Sequence, residues 1–344
     1  MADERTAEIA VSGAEDRAFG LAEPAGIGLL WAIALGALGT AWFFPLHLAL
    51  AADILILALF ALSLDLVLGF AGIVSLGHAA FFGTGAYVAG LLALAGWREP
   101  LSGLLAAGVV AGLLGLVASF LLLRGRDLSR LMVTLGLGMM LHEAANKAAW
   151  LTGGADGLQG IRIDPIAGLF AFDLFGRTAF FYSLSVTLLA VALLVRLATS
   201  PFGLALRAIR ANALRARLLG IDVERHLVIA HGLGAGLAGI AGGLLAQTTQ
   251  FVSLDVLAFQ RSAEVLLVLL LGGAGNLWGA VVGAVVFKLA HETLASITVH
   301  YWTFWLGAML VVLVLFASDG MTGLARQLAH RMRRRAGARR APGS

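Results

Sequence analysis

Ionisable side chains occur inside long apolar stretches of this sequence, where a charge is costly and usually serves a cavity or a partner. They are Asp53, Asp65, His78, His142, Glu143, Lys147, Glu264, Lys288, His291 and Glu292. Glu143 and Lys147 are four residues apart, the spacing that pairs side chains on one helical face. Lys288 and Glu292 repeat that spacing. We interpret both as self-neutralising pairs near span ends; the alternative, a proton relay in an ion-coupled carrier, has no specific support. His78 is interpreted as a structural hydrogen-bonding group rather than a gate or ligand.

These residues form no pattern typical of catalysis. The sequence has no cysteine, which excludes disulfides, zinc thiolates and iron–sulfur clusters. No group of histidines and carboxylates has metal-ligand spacing, and no nucleophile elbow or catalytic triad signature is present. Neither Lys147 nor Lys288 follows a glycine, so the chain lacks the GxxxxGK[ST] phosphate loop for ATP hydrolysis. We therefore predict no catalytic, metal-binding or cofactor-binding residue and no enzyme activity.

The composition is that of a membrane protein. Hydrophobic residues make up 60% of the chain and charged residues 13%, whereas about a quarter of a soluble domain is charged. This predicts an all-α polytopic membrane protein. Apolar runs of spanning length predict about ten transmembrane segments, some of them glycine-interrupted or re-entrant. The predicted segments cover residues 27–44, 46–68, 79–96, 101–123, 130–151, 178–198, 227–247, 262–271, 277–294 and 302–318.

Basic residues indicate how these segments are oriented. They cluster at residues 124–130, 207–225 and 326–340, and counting the segments between the clusters places all three on one side. Because cytoplasmic loops are enriched in Lys and Arg, we predict a multi-pass membrane protein with both termini in the cytoplasm. Residues 152–177 form the only sizeable loop predicted on the outer side.

The two ends of the chain differ in composition from the transmembrane domain, which we assign to residues 27–325. Residues 1–26 are acidic and lack the pattern of a secretory signal peptide. We predict that they form a disordered cytoplasmic tail. Residues 326–344 are predicted to form a basic cytoplasmic tail, which we interpret as a topology signal rather than a nucleic-acid-binding segment.

Residues 200–226 interrupt the apolar pattern with the sequence SPFGLALRAIRANALRARLLGIDVERH. Their arginines make this stretch too polar for lipid, and the remaining residues favour a helix. We therefore predict a cytoplasmic helix held between two spans.

A helical wheel of this stretch separates its apolar residues. Leu206, Ile209 and Ala213 form one stripe, while Leu214 and Leu218 lie elsewhere. An amphipathic helix on a lipid surface has a single apolar face. Apolar residues on several faces, with arginines around them, favour insertion into a protein groove; a basic loop facing lipid is the alternative.

Two segments carry too many glycines to be ordinary helices throughout. Residues 68–90 read LGFAGIVSLGHAAFFGTGAYVAG and residues 271–286 read LGGAGNLWGAVVGAVV, so both open with L-G-x-A-G. Paired glycine-interrupted segments in the two halves of a transporter point to its pathway. Broken backbone also leaves amide groups free for an anionic group such as a carboxylate. Close helix packing by small residues is the alternative.

On the first interpretation these segments supply the translocation pathway. The predicted pathway residues are Gly72, Ser75, Gly77, His78, Phe81, Gly85, Gly273, Gly275 and Asn276.

In this order the motifs resemble LivM-type permeases, the membrane subunits of branched-chain amino acid ABC importers. LDLVLGFAGIVSLGHAAFFGTGAYVAG looks like the family signature, and TGGADGL looks like a family loop. SPFGLALRAIRANALRARLLGID is similar to the family's cytoplasmic loop, and EVLLVLLLGGAGNLWGAVVGA to a closing span. The resemblance covers roughly residues 46–325.

The resemblance implies a subunit of the bacterial plasma (inner) membrane that moves Leu, Ile or Val from a periplasmic substrate-binding protein to the cytoplasm. Urea, amides and other small carboxylates are the alternative substrates. The implied partners are a LivH-like second permease, two cytoplasmic ABC ATPases that carry ATP and magnesium, and the lipid bilayer. No cofactor on this chain and no nucleic acid are implied.

The resemblance also assigns residues 200–226 to docking on the ATPase. The implied coupling residues are Arg207, Ala208, Ile209, Arg210, Asn212, Leu219 and Gly220. This sequence departs from the family pattern at Leu204, where arginine is usual, at Ala211, where an acid is usual, and near Arg215, where small residues are usual. These departures bear on the docking contacts rather than on the class of protein.

Overall fold

The computed structural model describes residues 23–43, 47–122, 127–166, 168, 170, 173, 176–297, 307, 308 and 321. Helices account for most of this part, so the predicted all-α class is confirmed. In chain order the helices are α1 (Glu23–Phe43), α2 (Leu48–Leu64), α3 (Ala79–Leu94), α4 (Pro100–Leu122), α5 (Asp127–Lys147), α6 (Ala149–Thr152), α7 (Arg177–Thr199), α8 (Pro201–Ala211), α9 (Ala213–Leu218), α10 (Val223–Thr249), α11 (Phe259–Gly272) and α12 (Leu277–Ile297). A π-helical turn, Asp65–Phe70, continues α2, and 3-10 turns lie at Gly154–Asp156 and Leu254–Leu257.

Within the described residues, five helices are long and apolar enough to cross a membrane. They are α2 with its π-helical turn, α4, α7, α10 and α12. The apolar stretches Gly28–Trp42 of α1 and Ala79–Leu94 of α3 are shorter. The segments predicted at 130–151 and 262–271 correspond to α5 and α11. The segment predicted at 302–318 lies almost entirely outside the described residues. Residues 1–22 and the tail 326–344 also lie outside them, and α1 begins at Glu23 rather than at the predicted boundary.

Helix α10 lies at the centre of the bundle, against α2, α3 and α4. Glycines allow this close packing, because without a Cβ their backbone can lie against the backbone of a neighbouring helix. A Cβ added at Gly85 would overlap the backbone of Gly239, and one at Gly242 would overlap the carbonyl of Phe82. Small residues permit such close approach of helices in a membrane. Gly85, predicted as a pathway residue, therefore lies in a helix–helix contact within an unbroken helix.

One predicted ion pair forms and the other has a different partner. Lys147 Nζ lies 3.4 Å from a carboxylate oxygen of Glu143, with both side chains exposed. Lys288 Nζ instead lies 3.5 Å from Asp53 Oδ2 on α2. The pairing with Glu292 on its own helix is thus replaced by a contact between α12 and α2. Such a contact depends on helix packing, which sequence spacing does not reveal.

Candidate functional site

Residues 200–222 connect α7 to α10 at one end of the bundle, which we call the loop face. They fold into two short helices, α8 and α9, rather than the single predicted helix. The chain turns at Asn212, whose backbone is extended, and the Asn212 side chain accepts a hydrogen bond from Arg215 N–H to cap α9. Ser200 caps α8 and Asp222 caps α10 in the same way. Side-chain capping of this kind stabilises helix starts, so the connection is built from local signals.

One side of α8 packs against the chain's own spans. Leu206 and Ile209 are buried, and the Arg207 guanidinium lies over the Phe70 ring, 5.1 Å from its centroid. This cation–π contact joins α8 to the π-helical turn. The predicted stripe of Leu206, Ile209 and Ala213 does not persist: Ala213 is exposed because the helix ends before it.

Arg210 also points towards the spans. Its Nη1 donates a hydrogen bond to the main-chain carbonyl of Gly69 in the π-helical turn. The same nitrogen lies against Gly275, where an added Cβ would come within 2.6 Å of it. Gly72 packs on the aliphatic part of the same side chain. Arg210 therefore contacts both glycine-broken segments from a single position on α8.

The two glycine-broken segments are also joined to each other directly. Gly275 N–H donates a hydrogen bond to Asp65 Oδ1, with a nitrogen–oxygen distance of 2.6 Å. A Cβ added at Gly69 would overlap the Asp65 carboxylate and lie 2.5 Å from the Gly275 nitrogen. The sequence analysis predicted free amides for an anionic ligand in these segments. The Gly275 amide instead donates to a carboxylate of the chain itself.

The shared L-G-x-A-G sequence gives the same backbone feature in both segments. Its last residue is Gly72 in the first and Gly275 in the second, with φ of 74° and 88°. Gly273, between α11 and α12, also has a positive φ. Such angles strain any residue with a Cβ. The predicted break in the helix is therefore found at Gly72 and at Gly273–Gly275.

Four other predicted pathway residues are buried in contacts between helices. His78 is buried, with Nε2 2.9 Å from Ser63 Oγ, as its structural interpretation requires. Phe81 packs edge-on against the His78 ring, and Ser75 is also buried. A Cβ added at Gly77 would overlap the backbone of α5.

Asn276 directly precedes α12, and its side chain accepts a hydrogen bond from Trp278 N–H. The structure thus brings Gly72 and Gly275 together beside Arg210, whereas Gly77, Phe81 and Gly85 lie in other contacts. The pathway role of the whole set stays a prediction.

The predicted coupling residues divide between two sides of residues 200–222. Arg207, Ile209 and Arg210 contact the spans, although Arg210 is also partly exposed, and Ala208 and Leu219 are exposed. Gly220 ends α9 with a φ of 84° and has open space around it.

Exposed leucines form what we call the outer surface of residues 200–222. They are Leu204, Leu214, Leu218 and Leu219, with exposed fractions of 57%, 68%, 80% and 79%. Ala211 and Arg215 are exposed as well, so all three departures from the family pattern lie away from the spans.

Sequence reasoning did not place Asp65, Gly69 and Phe70 in this site. Asp65 carried a usable signal, because it is an ionisable residue in an apolar span directly before the first L-G-x-A-G. Gly69 and Phe70 contribute through a carbonyl and a ring face. Neither group shows a signature in a sequence.

Comparison with known proteins identifies the family of the chain. Residues 46–315 match the family described as branched-chain amino acid transport system, permease component. The chain is 28% identical to the high-affinity branched-chain amino acid transport permease protein LivM of Escherichia coli (strain K12), over 86% of this chain and 75% of the relative. It is 25% identical to LivH of the same strain, over 77% of this chain and 91% of the relative. The autoinducer 2 import system permease protein LsrC of Salmonella paratyphi B is 29% identical over 70% and 69% of the two chains. No solved structure matches significantly.

Proposed function

The chain belongs to the family of branched-chain amino acid transport permeases, and we propose that it is the LivM-like subunit of an ATP-driven importer for Leu, Ile or Val. As a multi-pass membrane protein it forms part of the translocation unit, and ATP is hydrolysed on separate subunits. The observation that carries the proposal is the contact of Arg210 with both glycine-broken segments.

We assign the loop face to the cytoplasm of a bacterium with an inner membrane. The arginines of residues 200–222 support this orientation, because positive charge is retained on the cytoplasmic side. Both termini then lie in the cytoplasm. An ATPase reaches residues 200–222 from the same side.

The outer surface is the docking site we propose for the ATPase. Its leucines project from two helices that meet at an angle, so they suit a groove between protein surfaces better than a flat membrane. The chain's departures at Leu204 and Arg215 lie on this surface. We expect its own ATPase to carry apolar groups opposite Leu204 and no cation opposite Arg215.

Movement of α8 is the step that couples ATP to transport in this proposal. The ATPase pushes on the outer surface, and the inner side of α8 passes the displacement to the π-helical turn through Arg207 and Arg210. Arg210 passes it to the α11–α12 turn at the same time. Glycine-broken backbone can change its dihedral angles at these points while the flanking helices move as rigid units.

The remaining partners follow from the family. A LivH-like permease completes the pore, two ATPases bind from the cytoplasm, and a periplasmic protein delivers the substrate. The similarity to LivM and to LivH supports a pair of related permeases.

The test is reconstitution of the chain with the products of its neighbouring genes in proteoliposomes. We expect uptake of labelled leucine that requires ATP, both permeases and the binding protein. Competition by isoleucine and valine, but not by urea or acetamide, identifies the substrate class. Uptake driven by a proton or sodium gradient without an ATPase would overturn the proposal.

A further inference from the structure

A small cavity with four charged side chains lies between α2, α11 and α12, away from the loop face. Its volume is about 60 Å³, and its charged lining is Asp53, Arg261, Glu264 and Lys288. A water needs roughly 10–15 Å³ of such volume, so the cavity admits several waters in the present conformation.

The charges are arranged as two neighbouring ion pairs, one within α11 and one between α12 and α2. Arg261 Nη1 lies 2.7 Å from Glu264 Oε2 on α11, and Lys288 of α12 lies 3.5 Å from Asp53 of α2. The four side chains keep between 22% and 42% of their surface exposed. They are therefore reachable, and their charges sum to zero.

The rest of the lining is apolar. Leu57 and Phe60 come from α2, Phe82 from α3 and Leu245 from α10. The Phe60 and Phe82 rings pack on each other at 4.4 Å between centroids. One part of the cavity thus suits an uncharged hydrocarbon group, beside a part with charges of both signs.

The cavity is remote from the coupling contact. Asp53 lies about 24 Å along α2 from Gly69, at roughly 1.5 Å per residue. On the proposed orientation this places the charged lining in the half of the bundle nearer the periplasm. A substrate released by a binding protein meets it before it reaches the glycine-broken segments.

We propose that this cavity is a binding site for the zwitterionic head of an apolar amino acid. The substrate carboxylate replaces a protein carboxylate beside Arg261 or Lys288, and its ammonium pairs with the carboxylate so released. Each cation keeps an anion and the cavity stays neutral, whereas a ligand with one charge leaves an unpaired charge in a membrane span. The apolar side chain contacts Phe60 and Phe82 as the cavity widens. The proposal rests on the proposed function and adds that the permease itself selects the substrate.

Competition by a series of related ligands tests this proposal without any substitution in the protein. The complete importer lacking only its binding protein is placed in nanodiscs, and tritiated leucine binding is measured. We expect leucine and valine to displace the label. We expect leucinamide, which lacks the carboxylate, and 4-methylpentanoate, which lacks the ammonium, to compete at least about tenfold less well, since each leaves one charge of the cavity without a partner. Equal competition by all four compounds would overturn the proposal.

Substitutions then locate the site. Arg261→Gln and Asp53→Asn should each weaken leucine binding at least about tenfold, while the complex still assembles and hydrolyses ATP. Glu143→Gln is the matched control, because it removes one member of an exposed pair outside the cavity. Unchanged leucine binding in both cavity variants would reject this site. Loss of ATP-dependent uptake in the wild-type importer would instead reject the proposed function, so the two failures are distinguishable.

Discussion

Asp65 accepts a hydrogen bond from the backbone of Gly275, a residue 210 positions later in the chain. This bond joins the end of α2 to the turn between α11 and α12, the two places where L-G-x-A-G occurs. Arg210 lies against the same junction from α8. Under the proposed function, this junction lets a movement of α8 displace two spans together, and the predictions that follow rest on it.

The first prediction concerns the Asp65 carboxylate. Replacing Asp65 with Ala leaves the Gly275 amide without its acceptor in a buried site, which costs about 1–3 kcal/mol. We expect a lower unfolding temperature of the purified permease and weaker uptake. Asp65→Asn retains an acceptor oxygen and should keep most of the stability. An equal decrease of the unfolding temperature in the two variants would show that this hydrogen bond does not stabilise the permease.

The second prediction concerns the space at Gly275. A Cβ there meets Arg210 Nη1 at 2.6 Å and also strains a backbone with a φ of 88°. We expect Gly275→Ala to reduce substrate transported per ATP by more than half. Gly96→Ala is the matched control, because its φ of 95° gives similar strain but nothing lies within 4 Å of the new methyl group. If both variants lose the same amount, backbone strain rather than the Arg210 contact is responsible.

The third prediction concerns the outer surface. Leu218 is 80% exposed, and burying a leucine against a partner contributes about 1.5–3 kcal/mol. We expect Leu218→Ser to weaken co-purification of the ATPase at least about tenfold while the permease still inserts. Phe170→Ser is the control, since Phe170 is a comparably exposed apolar residue in the connection between α6 and α7. Normal ATPase binding by the Leu218 variant would exclude this surface as the docking site.

Sequence reasoning found the parts of this junction but not their arrangement. The basic stretch at 200–226 and the L-G-x-A-G pair were recognised because composition and glycine content mark them. The direction of the Arg210 side chain was not, because a long side chain beside the stripe of Leu206 and Ile209 can point either to the spans or to solvent. A glycine in a helix–helix contact, such as Gly85, and a glycine in a turn, such as Gly275, also look alike in a sequence. The sign of φ and the neighbouring backbone, which distinguish them, arise only on folding.

The sequence analysis also did not predict which residues far apart in the chain contact each other. Lys288 has a suitable partner at Glu292 on its own helix, yet it contacts Asp53. Asp65 likewise finds Gly275 across most of the chain. Which helices become neighbours depends on the summed packing of the bundle, so no local spacing rule could identify either contact.

The fourth prediction addresses the central claim, that Arg210 transmits the movement of α8 to the spans. A hydrogen bond from a charged group contributes about 1.5–3 kcal/mol, enough to weaken coupling without preventing assembly. Arg217→Gln is the matched control, because Arg217 lies on the same connection but its guanidinium lies 3.6 Å from a carboxylate oxygen of Glu224.

The most direct measurement is the number of leucine molecules transported per ATP hydrolysed by reconstituted Arg210→Gln importer. We predict that the ATPases co-purify and hydrolyse ATP, while leucine transported per ATP falls at least about tenfold, as expected for the loss of 1.4 kcal/mol or more of coupling. The Arg217 control should keep the wild-type ratio. A wild-type ratio in the Arg210 variant would contradict the account.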